Sequence, residues 1–224
     1  FLARDVVRFV GEPVAVVAAD TASTAEDALD LIKVEYEELP AVFDAEEAMK
    51  VNPPVVVHPD LQQFFRVPLQ IPMYRFIPDR PNVFTYCPTR KGDVEKGFQA
   101  ADFIVENKFV IPGAQHCTIE PHMVAAKVEP NGDLTIWVTD QTRCILRPVI
   151  CHVLGIAPSK LRLITPMMGG GFGGKASMYW QAALAGFMAL KTGKPVRLTY
   201  TREEVFMDGL RREPAVVYIK DGVK

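Results

Sequence analysis

The chain of 224 residues is 49% hydrophobic and 23% charged, with 25 basic and 27 acidic side chains and a formal net charge of −2. So even a balance excludes a protein that grips nucleic acid by neutralising phosphates. A helical membrane span is excluded too, since the longest apolar stretch, residues 182–190, is about half of the ~20 residues a crossing needs.

At roughly 150 residues per domain the length predicts one large domain or two smaller ones, able to fold without a disulfide or metal staple. The chain opens at Phe1 with no initiator Met, basic n-region or cleavage site, and reads as a piece of something longer. Cys87, Cys117, Cys144 and Cys151 form no CxxC and no regular framework, which predicts reduced thiols in the cytoplasm.

Residues 6–19, rich in Val and Phe, predict a strand interrupted by a bulge or turn at Gly11-Glu12-Pro13. Ser23 and Glu26 have capping-box spacing, and Ala25, Ala28, Leu29 and Ile32 then share one apolar helical face. Val34 and Tyr36 alternate with Glu35 and Glu37 as a second strand over residues 33–38, stopped by Pro40.

From residue 51 to 88 the texture changes: eight of the 18 prolines fall here and no period is sustained. Phe64, Phe65, Tyr74, Phe76 and Phe84 argue against disorder, so an extended surface connector is expected.

Asp93 is placed to cap a short helix reaching residue 101, and residues 102–111 read as a strand. Strands over 124–129 and 134–139 flank Pro130-Asn131-Gly132-Asp133, a hairpin signal in which Asn-Gly suits positive φ at both central positions. A helix is expected over 147–154, with Pro148 in its first turn. A strand over 160–165, a helix over 176–191 and a last strand over 195–200 complete the pattern.

Between the strand ending at residue 165 and the following helix stands Gly169-Gly170-Gly171-Phe172-Gly173-Gly174-Lys175, with five of the 15 glycines in six residues. Without Cβ atoms such a backbone adopts left-handed conformations and approaches a ligand closely. Its position before a helix turns free N–H groups toward an anion or polar oxygen. A tight turn that only packs strand against helix would need about three residues.

Gly169, Gly171 and Gly174 match GxGxxG, but the acidic ribose partner ~20 residues on is poorly supplied, with Lys194 there and Glu203 late. Gly169 to Lys175 also matches GxxxxGK, yet Ala176 stands where a P-loop carries Ser or Thr. The helix that follows, with Met178, Tyr179, Trp180, Ala182, Leu184, Phe187, Met188 and Leu190, has almost no polar face, which predicts burial on every side.

In this company the residues resemble a family. Val10-Gly11-Glu12-Pro13-Val14-Ala15-Val16-Val17-Ala18 and Val34-Glu35-Tyr36-Glu37-Glu38-Leu39-Pro40 look like the hammerhead domain of xanthine dehydrogenases and aldehyde oxidases. Glu120-Pro121-His122, Gln141 and the glycine run look like the first molybdopterin-binding domain of the same subunit. Thr201-Arg202-Glu203-Glu204 is similar to a stretch further along it. The resemblance covers almost the whole chain in the family's order. It implies an α+β fold, with the C-terminal part of a hammerhead domain at 1–50, a Pro-rich connector at 51–90 and a partial molybdopterin-binding domain at 91–224.

The resemblance further implies a molybdenum hydroxylase that oxidises an aldehyde or N-heterocycle with water as the oxygen source. Its molybdenum would be held by molybdopterin, in the cytosine dinucleotide form, so no protein metal ligand is expected. His58, His116, His122 and His152, which lack zincin spacing, are read as ordinary polar residues. Gln141, 31 positions before Phe172, matches the glutamine whose amide meets an oxygen ligand of the metal. Phe172 and Gly173 match loop residues that approach the cofactor, and Gly170, Gly171 and Gly174 permit that approach.

Ala176 departs from the glutamate that purine-oxidising members carry after Gly-Gly-Lys, which makes xanthine a poor substrate. The family's general-base glutamate falls beyond Lys224, so no catalytic residue is assigned within the chain and the isolated polypeptide is expected to be inactive. Expected partners are the remainder of the large subunit, iron–sulfur and FAD domains or subunits, and a small organic substrate. Two readings of other classes stay open: a nucleotide-binding GxGxxG module and a non-catalytic scaffold subunit.

Overall fold

The computed structural model describes residues 2–61, 77–176, 178–208 and 210–224. In chain order its elements are α1 (Ala22–Leu29), α2 (Ala45–Ala48), α3 (Val94–Gln99), β1 (Phe103–Ile111), β2 (Met123–Val128), β3 (Leu134–Val138), α4 (Arg143–Leu154), β4 (Leu161–Ile164), α5 (Tyr179–Thr192), β5 (Val196–Thr199), α6 (Arg202–Asp208) and β6 (Ala215–Val223), with a 3-10 turn at Pro158–Lys160. They divide into two units. One holds residues up to Glu35 together with Ala114–Arg212, the other Tyr36–Gly113 with Glu213–Lys224.

The first unit is built on a four-stranded sheet of order β4-β3-β2-β5. β2 runs antiparallel to both β3 and β5, while β3 and β4 are parallel. A parallel pair needs a crossover connection, and α4 supplies it. Val124, Ala126, Leu134, Ile136 and Val138 from the strands, Leu146 and Ile150 from α4, and Ala182, Ala183, Ala185 and Ala189 from α5 form one buried cluster. The alanines let α5 lie close on the sheet. At Gly186 a Cβ would already meet Ile136, Leu134 and Leu154 side-chain atoms at 3.1 Å.

This topology gathers distant sequence at one edge. The parallel pairing brings the ends of β3 and β4 side by side, so Gln141 and the glycine run emerge together. Because β2 is antiparallel, its beginning lies at the same edge (Val124 opposes Val138), and so does the end of β5 (Met123 opposes Thr199). Residues 116–122 and 200–208 therefore join them. Loops at the carboxyl ends of parallel strands are where open α/β sheets bind ligands.

The second unit contains the antiparallel ribbon of β1 and β6, with Phe103 opposite Val223 and Ile111 opposite Ala215. Asn82 ties residues of this unit together: its amide donates to the Ala48 and Val55 carbonyls and accepts from the Val57 N–H. Glu46 of α2 pairs with Lys108 at 2.5 Å and also accepts from the Tyr218 hydroxyl. The described parts of the connector, residues 51–61 and 77–90, are irregular, while Phe64, Phe65, Tyr74 and Phe76 lie outside the described residues.

Several expectations need correction. Residues 6–19 and 33–38 run without a ladder among the described residues, although the turn at Gly11 is present, with φ of 99°. β-type side chains alone do not make a strand; a hydrogen-bonded neighbour does. Helix α1 is capped by Thr21, whose hydroxyl accepts from the Thr24 N–H, and not by Ser23.

The hairpin turns on Gly132 alone: its φ is 81° and Asn131 keeps negative φ. This suits a type I turn followed by a left-handed glycine. Helix α4 starts at Arg143, with Pro148 inside it. Helix α5 is not covered all round, since Phe187 and Leu190 are exposed. Nor is the 195–200 segment the last element; α6 and β6 follow it.

Candidate cofactor-binding site

The glycine run is shaped by two side chains that lie outside it. Gln141 Oε1 accepts from the N–H of Gly173 at 2.9 Å and of Lys175 at 3.2 Å, while the Gln141 N–H donates to the Lys175 carbonyl at 2.9 Å. Two N–H donors on one atom fix the oxygen end of the carboxamide, so the NH2 end is left for another acceptor. Gly171 is buried beneath this side chain: a Cβ there would lie 2.5 Å from Gln141 Cδ. The glycine at 171 is needed for close approach, not for φ.

Glu120 holds the other end. Its carboxylate accepts from the Gly169 N–H and pairs with Lys175 Nζ at 2.7 Å. Lys175 is fully buried. A P-loop lysine must reach phosphate, and this ammonium is already committed to a carboxylate, so the GxxxxGK match carries no NTPase chemistry.

Between these anchors the backbone turns through left-handed conformations at Gly170 (φ 102°), Phe172 (φ 53°) and Gly173 (φ 100°). Positive φ at a bulky residue costs about 1–3 kcal/mol and persists where the surroundings over-determine it. The N–H groups of Gly170, Gly171 and Phe172 have no acceptor among the described residues. Three consecutive amides in such a turn form a nest for an anion or polar oxygen. The Phe172 ring is 74% exposed. At Gly174 a Cβ would press on His116 at 3.1 Å.

Composition and spacing give His116 and His122 no special place, yet the structure packs both against the loop. His116 Nδ1 bonds the Leu210 carbonyl at 3.0 Å. His122 Nε2 meets the Gly174 carbonyl at 3.0 Å, and the ring stacks on Tyr200 with centroids 5.7 Å apart. Beyond it the Tyr200 hydroxyl donates to Asp208, and Gln181 donates to both. Burial pushes the Tyr200 phenol and the Asp208 carboxyl above their ordinary values. Asp140, likewise pushed up by burial, accepts from the N–H groups of Thr142 and Met178 and so joins the Gln141 loop to the start of α5.

Two shifts lower stability in acid, against the raised carboxyls of Asp140 and Asp208, which act in the opposite sense. His122 is held below its ordinary 6.5, first by burial, then by the Lys175 and Arg202 charges, against the Gly174 bond. Burial opposes the charge on Glu120, but Lys175 and the Gly169 N–H outweigh it, and its carboxyl lies below the usual range. For His122 the unfolded chain takes the proton first, so stability is lost as pH falls through the unfolded value near 6.5. For Glu120 the contribution is present above the unfolded carboxylate value and lost as pH falls through the lower folded one.

The His122 contribution to the thermal midpoint should therefore be lost between about pH 7.5 and about 5.5. A His122→Phe variant, which keeps a ring on Tyr200, should start lower but decline less. Equal slopes in the two proteins would assign the acid response elsewhere.

The donor set suits a cofactor that presents oxygen or anionic acceptors: three amides, one carboxamide NH2 and no Cβ at Gly170 or Gly171. Among the described residues no three His, Cys, Asp or Glu side chains gather to hold a metal directly. Fold and site together define a mixed α+β domain with a glycine-rich loop at one edge of its sheet.

The chain belongs to the molybdopterin cofactor-binding domain family, whose model matches residues 76–224. The aldehyde oxidase and xanthine dehydrogenase a/b hammerhead domain matches residues 1–40. The expected α+β succession of a hammerhead end and a molybdopterin-binding domain therefore holds.

Its relatives include a probable xanthine dehydrogenase component of Bacillus subtilis, 34% identical over 99% of this chain and 27% of that protein. The nicotinate dehydrogenase large molybdopterin subunit of Eubacterium barkeri is 31% identical over 99% of this chain and 47% of that protein. Among solved structures, quinoline 2-oxidoreductase from Pseudomonas putida 86 superposes with a TM-score of 0.75 at 27% identity, covering 100% of this chain and 26% of that one. The chain thus spans less than half the length of each of these proteins.

Proposed function

We propose that the chain is part of the catalytic subunit of a molybdenum hydroxylase oxidising an aldehyde or N-heterocycle, with water as the source of oxygen. The observation that carries this reading is the loop from Gly169 to Lys175 closed on Gln141, with the N–H groups of Gly170, Gly171 and Phe172 unpaired among the described residues. Family membership and the redox activities in the names of its relatives support it.

Molybdenum held by molybdopterin in its cytosine dinucleotide form would supply the two-electron chemistry and the water-derived oxygen. This chain's residues bind and orient it. The N–H groups of Gly170, Gly171 and Phe172 would hold its polar oxygens, and the Gln141 NH2 would donate to another of its oxygens. Gly173 and Gly174 let the backbone pass close, and the exposed Phe172 ring forms a wall for substrate. Ala176 leaves no carboxylate in the place where purine-oxidising members have one, which favours substrates other than xanthine.

In this reading residues 1–50 are the end of the hammerhead domain, 51–90 the connector and 91–224 part of the first molybdopterin domain. The remainder of the large subunit supplies the general base, and electrons leave through iron–sulfur and FAD domains or subunits, in the cytoplasm. Among the described residues no helix is long and apolar enough to cross a membrane.

Dye reduction tests the reading. The intact subunit with its partners should reduce an artificial acceptor when given an aldehyde or N-heterocycle, and barely when given xanthine. The 224 residues expressed alone should reduce none. Molybdenum-dependent turnover by that polypeptide alone would contradict the assignment of the general base to the rest of the subunit.

A further inference from the structure

Lys175 is the hub on which the loop closes. Its backbone N–H and carbonyl both bond Gln141, at 3.2 and 2.9 Å, and its side chain reaches Glu120 at 2.7 Å. Glu120 in turn spans the loop, because one carboxylate meets both Gly169, where the run begins, and Lys175, where it ends.

Glu120 is itself held firmly. Arg202 donates to the Thr118 and Ile119 carbonyls at 2.7 and 2.6 Å, Thr118 Oγ1 donates to the Glu120 carbonyl, and the Glu120 N–H donates to the Gly169 carbonyl. A buried ion pair adds little net stability over an apolar pair, and its better-attested use is to fix one conformation. Here the conformation it fixes is that of the segment carrying the free amides.

We infer that Glu120 and Lys175 are positioning residues: their ion pair clamps the two ends of the glycine loop and holds the Gly170–Phe172 amides and the Gln141 carboxamide in the geometry that retains the cofactor. The inference rests on the molybdopterin reading above. Lys175 is fully buried and the Glu120 carboxylate is engaged by Gly169 and Lys175, so the effect passes through the loop.

Three variants of the intact holoenzyme test it: Glu120→Gln, Lys175→Met and the double variant. Each is read by thermal midpoint and by molybdenum per chain after gel filtration. Each single change leaves one partner without its counter-charge, Lys175 fully buried or Glu120 partly so, and should lower both readouts. The double variant removes both charges, so its midpoint should recover most of the loss. Its molybdenum content should nevertheless stay about tenfold below that of the unaltered enzyme, the scale on which residues that orient a site from behind affect metal retention.

Molybdenum that recovers in step with the midpoint would show a pair serving stability alone and overturn the clamp. If the double variant does not fold, Glu120→Asp carries the test. It keeps the charge but is one methylene too short to meet both ends, so an unchanged molybdenum content there would also overturn the clamp. An unaltered holoenzyme that binds no molybdenum would overturn both the clamp and the functional reading, whereas a loaded one with an equally loaded double variant overturns the clamp only.

Discussion

Gly171→Ala should lower kcat/KM of the complete enzyme by about 100-fold, the scale of a catalytic group displaced by about an ångström. The added methyl would lie 2.5 Å from Gln141 Cδ and 2.6 Å from its Oε1. The backbone at 171 has no need of positive φ, so conformational strain is not the cause. The side chain of Gln141 has to leave, and with it goes the acceptor for the Gly173 and Lys175 N–H groups. The Lys175 donor is partly buried and the Gly173 donor exposed, so the thermal midpoint should drop modestly as well. A variant with unchanged activity and midpoint would show that Gln141 has room to move and does not anchor the loop.

Gln141→Ala reaches the same end by a different route and should reduce activity by about 10–100-fold at equal molybdenum occupancy. It removes the carboxamide that links the loop to the end of β3, and the NH2 offered to the cofactor. The two changes are coupled. Once Gln141 is alanine, the methyl of Gly171→Ala has little left to strike, so the double variant should resemble Gln141→Ala instead of showing the product of the two losses. Multiplicative losses would place the Gly171 effect on the cofactor itself. Unchanged activity of Gln141→Ala at full occupancy would remove this residue from the site.

The elements between residues 94 and 200 are legible in the sequence because their signals are local. Asp93 caps α3 as its spacing predicts. The glycine turn, the alternating apolar residues of β2 and β3 and the continuous apolar run of α5 each show within a short stretch of chain. What is not legible is non-local. β6 pairs with β1 from the far end of the chain, Val223 lying opposite Phe103, and nothing within residues 215–223 announces that partner. Residues 6–19 and 33–38 have strand-like side chains, but a ladder requires a neighbour that local pattern does not specify.

The site divides in the same way. The glycine run shows in the sequence itself, because close backbone approach demands glycine, whereas Gln141 and Phe172 stand out only through the family resemblance. The Glu120–Lys175 pair joins residues 55 apart, and the contact of His122 with Gly174 spans 52. Both follow from the strand order β4-β3-β2-β5, which places the start of β2 beside the ends of β3 and β4. A topology that brings these ends to one edge places Glu120, His122 and Lys175 against the glycine loop.

Metal analysis of the purified protein at its natural length, joined to identification of the released pterin, tests the central claim most directly. The account predicts stoichiometric molybdenum with a molybdopterin. A well-folded, natural-length protein, expressed where the cofactor is made and purified without molybdenum or pterin, would contradict it.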